Sequence, residues 1–305
     1  MSPTQLTTSK KLWQPRYTVI VLMWLVYGCF YLNRLNFAPV IPLIMEDLKI
    51  SHTQVGLISA FFFAFYAAIQ IPAGYSSDIF GPKKIITLGG IVSAVANFFF
   101  SAGSSLFYLI GIQSLNGLGQ GGCWGPSVKL LNNWFPEPER GRALGIYVTC
   151  VCVFTVLAYA LAGYLGKTFG WRVAFWTVPV ILLAVLFVYW VIVDDHPHEN
   201  SVKDFPCRPP ELHEKSVGNR NKLIAILSNK DVRMACLGFY CLMYIRYSIL
   251  IWLPAYLYES YGLSVVTAGL LAGVYPLAGI ASVPLGGYLS DVTFGGRRKP
   301  LILMG

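Results

Sequence analysis

The sequence predicts an all-α membrane protein made of two copies of one six-helix bundle, the second copy incomplete. Three observations carry this. Apolar runs longer than a bilayer-crossing helix recur along a chain that is 55% hydrophobic and 12% charged, about half the charged share of a soluble domain. The cations gather in alternate loops. The residues after 232 repeat the spacing of polar and proline positions near the N-terminus.

Eight spans are expected, at 17–45, 53–76, 85–103, 106–134, 143–166, 173–193, 232–258 and 265–286. The polar stretch MSPTQLTTSKKLWQPRY enters the first span without a small-residue cleavage site, so it reads as leading into an uncleaved helix. Span 1 carries Arg34 at its middle. A guanidinium in hydrocarbon costs roughly 2.5–3.5 kcal/mol on insertion scales, so such a residue faces a polar partner, a water-filled cavity or a charged substrate. Pro39 and Pro42 are expected to kink this span and to free carbonyls near Arg34.

Span 2 ends in GYSSDIFGPKK, residues 74–84. Gly74 and Gly81 allow a tight turn, Asp78 is placed to accept hydrogen bonds from adjacent helix N-termini, and Lys83 and Lys84 hold the loop in the cytosol. Span 4 contains NGLGQGGCWGP, where Gly117, Gly121 and Gly125 recur every four residues, a pattern for close helix contact. No strand precedes these glycines, which argues against a phosphate loop. A short charged loop with Arg140 follows, and spans 5 and 6 join through KTFGWR, residues 167–172. The polar, proline-bearing segment 194–231 reads as a cytoplasmic linker. The expected parts are a six-helix bundle at 1–193, the linker at 194–231 and the start of a second bundle at 232–305.

The net charge of +9 is a matter of topology. Lys10, Lys11, Arg16, Lys83, Lys84, Arg140, Arg142, the linker cations and the trio Arg297, Arg298, Lys299 fall on the N-terminal side, against Lys49, Lys167 and Arg172 on the other. By the positive-inside rule the N-terminus is cytoplasmic, in a cell membrane, and no nucleic-acid partner is expected. The seven cysteines and four histidines show no zinc-ligand spacing. No metal or cofactor is expected, and the six cysteines within spans read as small buried hydrophobes.

The repeat emerges when Arg34 is aligned with Arg246. Pro42 and Pro254 each lie eight residues on, Pro72 and Pro284 lie 38 on, and Gly74 and Gly286 lie 40 on. Asp78 and Asp291 follow at 44 and 45, each before a basic cluster. Span 7 is thus a copy of span 1, and span 8 of span 2. Parallel repeats of this kind set a substrate site at their interface near the bilayer midplane, where Arg34 and Arg246 would face each other. The chain stops where a ninth span should begin, so a fragment lacking about four helices is expected.

The same residues resemble the major facilitator superfamily. GYSSDIFGPKK and GGYLSDVTFGGRRK are similar to its loop signature after helices 2 and 8, and YLNRLNFAPVIP, GCWGPSVKLLNNWFPEPERG and YIRYSILIWLPAYL resemble the organophosphate:phosphate antiporter family within it. The resemblance implies that Arg34 and Arg246 bind a substrate phosphate, with Tyr27, Tyr31, Tyr66 and Trp124 as site residues. Helix spacing independently sets Tyr27, Tyr31 and Arg34 on one face and Gln70 one turn from Tyr66. Where the family has a histidine, a lysine, an aspartate and an arginine, this chain has Val151, Gln70, Ile251 and Lys129. Asp78, Lys83, Lys84, Arg140, Asp291, Arg297 and Arg298 are expected to gate or brace the cytoplasmic loops.

Two forked guanidiniums suit a dianion. The 14 acids lie in loops or at span ends and the histidines lie outside the spans, which leaves no visible proton relay and favours exchange of anions. The expected function is exchange of an organic phosphate for inorganic phosphate by alternating access, with a small anionic substrate and the lipid bilayer as partners and a monomer as the full-length working unit. The alternatives are an ion-coupled symporter of an organic carboxylate such as a sugar acid, and a transporter-like membrane sensor. No nucleophile–base pair lies in the spans, so an enzyme is not expected.

Overall fold

A computed structural model describes residues 15–197 and 228–294, with the backbone alone over 280–294. Every element among them is helical: α1 (Pro15–Leu35), α2 (Phe37–Leu48), α3 (His52–Phe80), α4 (Pro82–Phe100), α5 (Leu106–Gly121), α6 (Trp124–Trp134), α7 (Glu137–Phe169), α8 (Trp171–Ile192), α9 (Lys230–Tyr261) and α10 (Val265–Phe294). Among the described residues, six helical stretches are long and apolar enough to cross a membrane, with α1 and α2 counting as one.

Prolines decide where the spans break. Pro39 lacks the N–H that would bond the Leu35 carbonyl and its ring crowds that group. The helix interrupts at Asn36, whose own N–H still bonds the Leu32 carbonyl at 3.0 Å. The repeat partner α9 keeps Pro254 but has Ile251 where Pro39 would fall, and it runs unbroken for 32 residues. The expected fourth span is also two helices, a correction to one continuous element. Pro126 withdraws the donor for the Gly122 carbonyl, and α5 and α6 part at Gly122 and Cys123. The loop expected near Arg140 is mostly absorbed into α7, which starts at Glu137.

Other ends are capped as the chemistry allows. Ser51 and Gln54 form a capping box at the start of α3. At the far end of α7, Gly170 turns at φ +90° into α8, the expected hairpin. Between α3 and α4, Gly81 has φ +88°, and the Asp195 carboxylate occupies the space where its Cβ would stand.

Close packing centres on α5. A Cβ on Gly117 would meet the Phe62 carbonyl, one on Gly121 the Tyr66 carbonyl, and one on Gly119 would lie 2.6 Å from the Ser93 nitrogen. Helix α5 therefore lies against the backbones of α3 and α4, as small residues permit. Gly125 faces open space and is not part of this contact, contrary to the sequence expectation.

Helices α1, α4, α7 and α8 close the core around Phe30, Tyr147, Tyr159 and Tyr189. Helices α9 and α10 pack on α2 and α7. Among the described residues their contacts run from the middle of the molecule to the end that holds His52: the Tyr159 hydroxyl donates to the Leu250 carbonyl, His52 meets Glu259 at 2.9 Å, and Gly163 abuts Val265. Toward its N-terminal end, α9 is largely exposed from Lys230 to Ile245. Cys236 and Cys241 are accordingly exposed, not buried as expected, whereas Cys29, Cys123 and Cys150 are buried.

Candidate functional site

A cavity of about 850 Å³ lies between α9 and the helices α1, α3, α6 and α7. Its wall includes Tyr27, Tyr31, Tyr66, Gln70, Trp124 and Arg246, six of the seven residues expected to bind substrate. The seventh, Arg34, stands directly behind that wall. Val151 and Ile251, two of the four positions where the sequence departs from its family resemblance, also line the cavity, whereas Lys129 does not. No histidine or carboxylate is among the described lining residues.

Arg34 is 6% exposed and sits one residue before the end of α1, next to the proline-induced break. Its Nε donates to Gln120 Oε1 at 2.8 Å and one terminal nitrogen donates to the Tyr247 hydroxyl at 3.0 Å. The guanidinium carbon lies 4.7 Å from the ring centres of both Tyr31 and Tyr66, within cation–π range. The other terminal nitrogen is buried with no hydrogen-bond partner among the described residues. None of the described ion pairs involves Arg34. A buried cation without a described counter-charge is costly, and the cavity beyond Tyr31 and Tyr66 has room for an anion to supply one.

Arg246 is half-buried on the opposite wall, and its guanidinium donates no hydrogen bond to a described residue. Both arginines lie within electrostatic reach of the Tyr31 and Tyr247 hydroxyls. The side chain that crosses from α9 to touch Arg34 is thus Tyr247, the residue after the expected one. Tyr247 also packs on Phe63 at 4.6 Å between ring centres.

The aromatic residues form one group. Tyr27 lies 5.4 Å from Tyr31, 5.6 Å from Trp124 and 5.1 Å from Tyr147 by ring centres. Tyr147 is fully buried behind Tyr27 and Trp124 and fixes both faces of that corner. Sequence reasoning missed Tyr147, Tyr247, Gln120 and the buried, unpartnered Ser59 hydroxyl on the cavity wall. Gln120 had a signal: with Asn116 and Gln113 it makes a polar stripe at helical spacing inside an apolar span.

The residues expected to gate or brace lie elsewhere. Asp78 accepts from Lys129 Nζ at 2.6 Å, which also bonds the Ser77 carbonyl, so Asp78 does not cap a neighbouring helix. Asp195 does that work by accepting from the Lys83 backbone N–H at 2.7 Å. The Lys83 ammonium meets Asp194 at 3.2 Å and stands over Trp190, while Lys84 is exposed. Arg140 caps the end of α6 through the carbonyls of Asn132 and Phe135. These contacts all brace α3–α8 internally. Asp291, Arg297 and Arg298 lie outside the residues whose side chains are described.

Comparison with known proteins fits this geometry. A family model described as the Major Facilitator Superfamily matches residues 23–305. The chain is 27% identical over 276 residues to the hexuronate transporter of Bacillus subtilis, covering 90% of this chain and 64% of that protein. It is 26% identical over 311 residues to a probable hexose phosphate transport protein of Chlamydia trachomatis, covering 95% and 67%. The membrane sensor protein UhpC of Salmonella typhimurium is 25% identical, again covering 95% and 67%. The chain therefore spans about two thirds of the length of these relatives. Among solved structures, a bacterial homolog to the human lysosomal transporter Spinster, inward-facing and unoccupied, has a TM-score of 0.75 at 22% identity, covering 91% of this chain and 63% of that one. That likeness is one of fold.

Proposed function

Because this chain belongs to the major facilitator superfamily, a family of membrane transporters and not of enzymes, we propose that it binds a small organic anion in the cavity and carries it across the membrane by alternating access. One observation carries the reading. Arg246 lines a cavity within apolar spans, Arg34 stands directly behind its opposite wall, and no described carboxylate pairs with either.

The leading substrate is an organic phosphate exchanged for inorganic phosphate. A dianion matches two forked cations through charge-assisted hydrogen bonds. The lining offers no carboxylate or histidine to move a proton, so a returning anion would restore the charge of the site. A second reading is ion-coupled uptake of an organic carboxylate such as a sugar acid. It is favoured by relatives described as transporters of hexuronate and of galactarate/D-glucarate. A sensor that keeps the site without flux is a third, suggested by the likeness to the membrane sensor protein UhpC.

In this reading the bundle of residues 1–193 rocks against the one beginning at 232, with 194–231 as the cytoplasmic linker. The contacts between α9–α10 and the earlier helices lie away from the linker, so the cavity would open to the cytoplasm in this state. The N-terminus is cytoplasmic, the membrane is the cell membrane, and the working unit is a monomer.

The test is efflux of radiolabelled phosphate from loaded liposomes, driven by external sugar phosphates or sugar acids. Stimulation by a sugar phosphate, lost in Arg34→Lys and Arg246→Lys, is the expected result. Uptake of a sugar acid that follows an imposed ion gradient, without phosphate exchange, would replace the first reading by the second. Absence of any flux, with substrate-dependent signalling through a partner, would leave the sensor.

A further inference from the structure

Arg34 is held from behind, and by a neutral side chain. Gln120 Oε1 accepts from its Nε at 2.8 Å. The amide is locked in that orientation, because its Nε2 donates to Asn116 Oδ1 at 3.1 Å and to Ser93 Oγ at 3.3 Å. Ser93 Oγ in turn donates to Asn116 Oδ1 at 2.7 Å, and Asn116 Nδ2 donates to Gln113 Oε1 at 3.3 Å. All four side chains are buried. Turning the Gln120 amide would set its N–H groups against the Arg34 N–H and its oxygen against the Asn116 acceptor.

Buried charges are ordinarily paired with opposite charges. Here the network across α4 and α5 supplies only an amide dipole, and the phenol of Tyr247 and the rings of Tyr31 and Tyr66 complete the surroundings. The guanidinium is fixed in place, no described ion pair compensates its charge, and one of its terminal nitrogens has no acceptor among the described residues.

We propose that Gln120 is the positioning residue for Arg34, and that its neutrality makes the site accept anions. The amide orients the guanidinium through Nε and leaves its charge and a free terminal nitrogen for the incoming ligand. A carboxylate at the same place would orient the guanidinium equally well and satisfy it internally. The inference rests on the anion-carrier reading above and names the residue that sets the sign of the ligand.

Two variants separate positioning from neutrality. Gln120→Glu keeps the shape and the acceptor facing Nε but adds a charge. Gln120→Met keeps the length and the neutrality but removes the acceptor. The purified full chain would be measured twice: by thermal melting without added anion, and by calorimetric binding of inorganic phosphate and of a hexuronate. Both variants lose the Nε2 donations to Asn116 and Ser93, and Gln120→Glu alone gives Arg34 a counter-charge, so Gln120→Glu should melt above Gln120→Met. Binding should rank differently, with Gln120→Met weaker by about 10-fold and Gln120→Glu by about 100-fold or more. A purely structural role would keep the two rankings the same.

Gln120→Glu binding either anion within about threefold of the unaltered chain would overturn the proposal. If the unaltered chain binds neither anion, the carrier reading fails; if it binds and Gln120→Glu binds as well, the proposal alone fails.

Discussion

Replacing Arg34 by lysine keeps the charge and removes the geometry. The guanidinium uses Nε on Gln120 at 2.8 Å and a terminal nitrogen on Tyr247 at 3.0 Å, lies 4.7 Å from two tyrosine ring centres, and has another nitrogen with no partner among the described residues. An ammonium has three donors on one atom and no plane. It cannot reach Gln120 and Tyr247 and also present a donor to a ligand in the same directions. One charge-assisted hydrogen bond lost is worth about 1.5–3 kcal/mol, so the anion should bind about 10- to 150-fold more weakly. The melting temperature should fall as well, because a bond to Gln120 or Tyr247 is lost in the empty protein. Arg246→Lys is the matched control. Its guanidinium makes no hydrogen bond to a described residue, so binding should weaken while melting stays put. Calorimetry and melting of both variants decide the matter. Unchanged anion affinity in Arg34→Lys would refute the site, and weak binding with unchanged melting would refute the bonds to Gln120 and Tyr247.

Other outcomes follow from the packing. Tyr247→Phe removes the acceptor from Arg34 but keeps the ring on Phe63, and should cost about 1.5–3 kcal/mol of stability; additivity with Arg34→Lys in a double-mutant cycle would rule out the contact. Gly117→Ala drives a methyl onto the Phe62 carbonyl and to 3.2 Å from the Tyr66 nitrogen, both backbone atoms, and should cost about 1–3 kcal/mol or more. Gly125→Ala meets open space and should change stability by no more than about 0.5 kcal/mol, so equal melting of these two glycine variants would contradict the α3–α5 contact. Glu259→Gln weakens an exposed pair with His52 between α9 and α3 and should shift melting by less than about 1 kcal/mol; a larger loss would mean that this pair, and not the apolar contacts beside it, joins α9 to α3 at that end.

Much of the site was legible because its members sit on regular helices. Tyr27, Tyr31 and Arg34 share a face by spacing alone, and the structure brings them to one cavity with Tyr66, Gln70, Trp124 and Arg246. The break near Arg34 was also foreseeable from Pro39, although its position at Asn36 was not stated. Asp78 misled because its local context, a turn between helices, suits a cap. Asp195, more than a hundred residues away, reaches that turn first, and Lys129 takes Asp78. Gly125 misled because a repeat of small residues says nothing about which glycines a neighbour approaches.

The sequence by itself determined the membrane-spanning helical class, the repeat that pairs Arg34 with Arg246, and the need for something polar near each arginine. These depend on composition, period and the cost of charge in hydrocarbon, all properties of the chain taken locally. Only the tertiary structure decided who meets Arg34. Gln120 and Tyr247 stand 86 and 213 residues away in sequence and arrive on separate helices. Which side chain reaches a buried guanidinium depends on how closely those helices approach and on their rotation, and both follow from contacts such as Gly117 on the Phe62 carbonyl that no local pattern encodes.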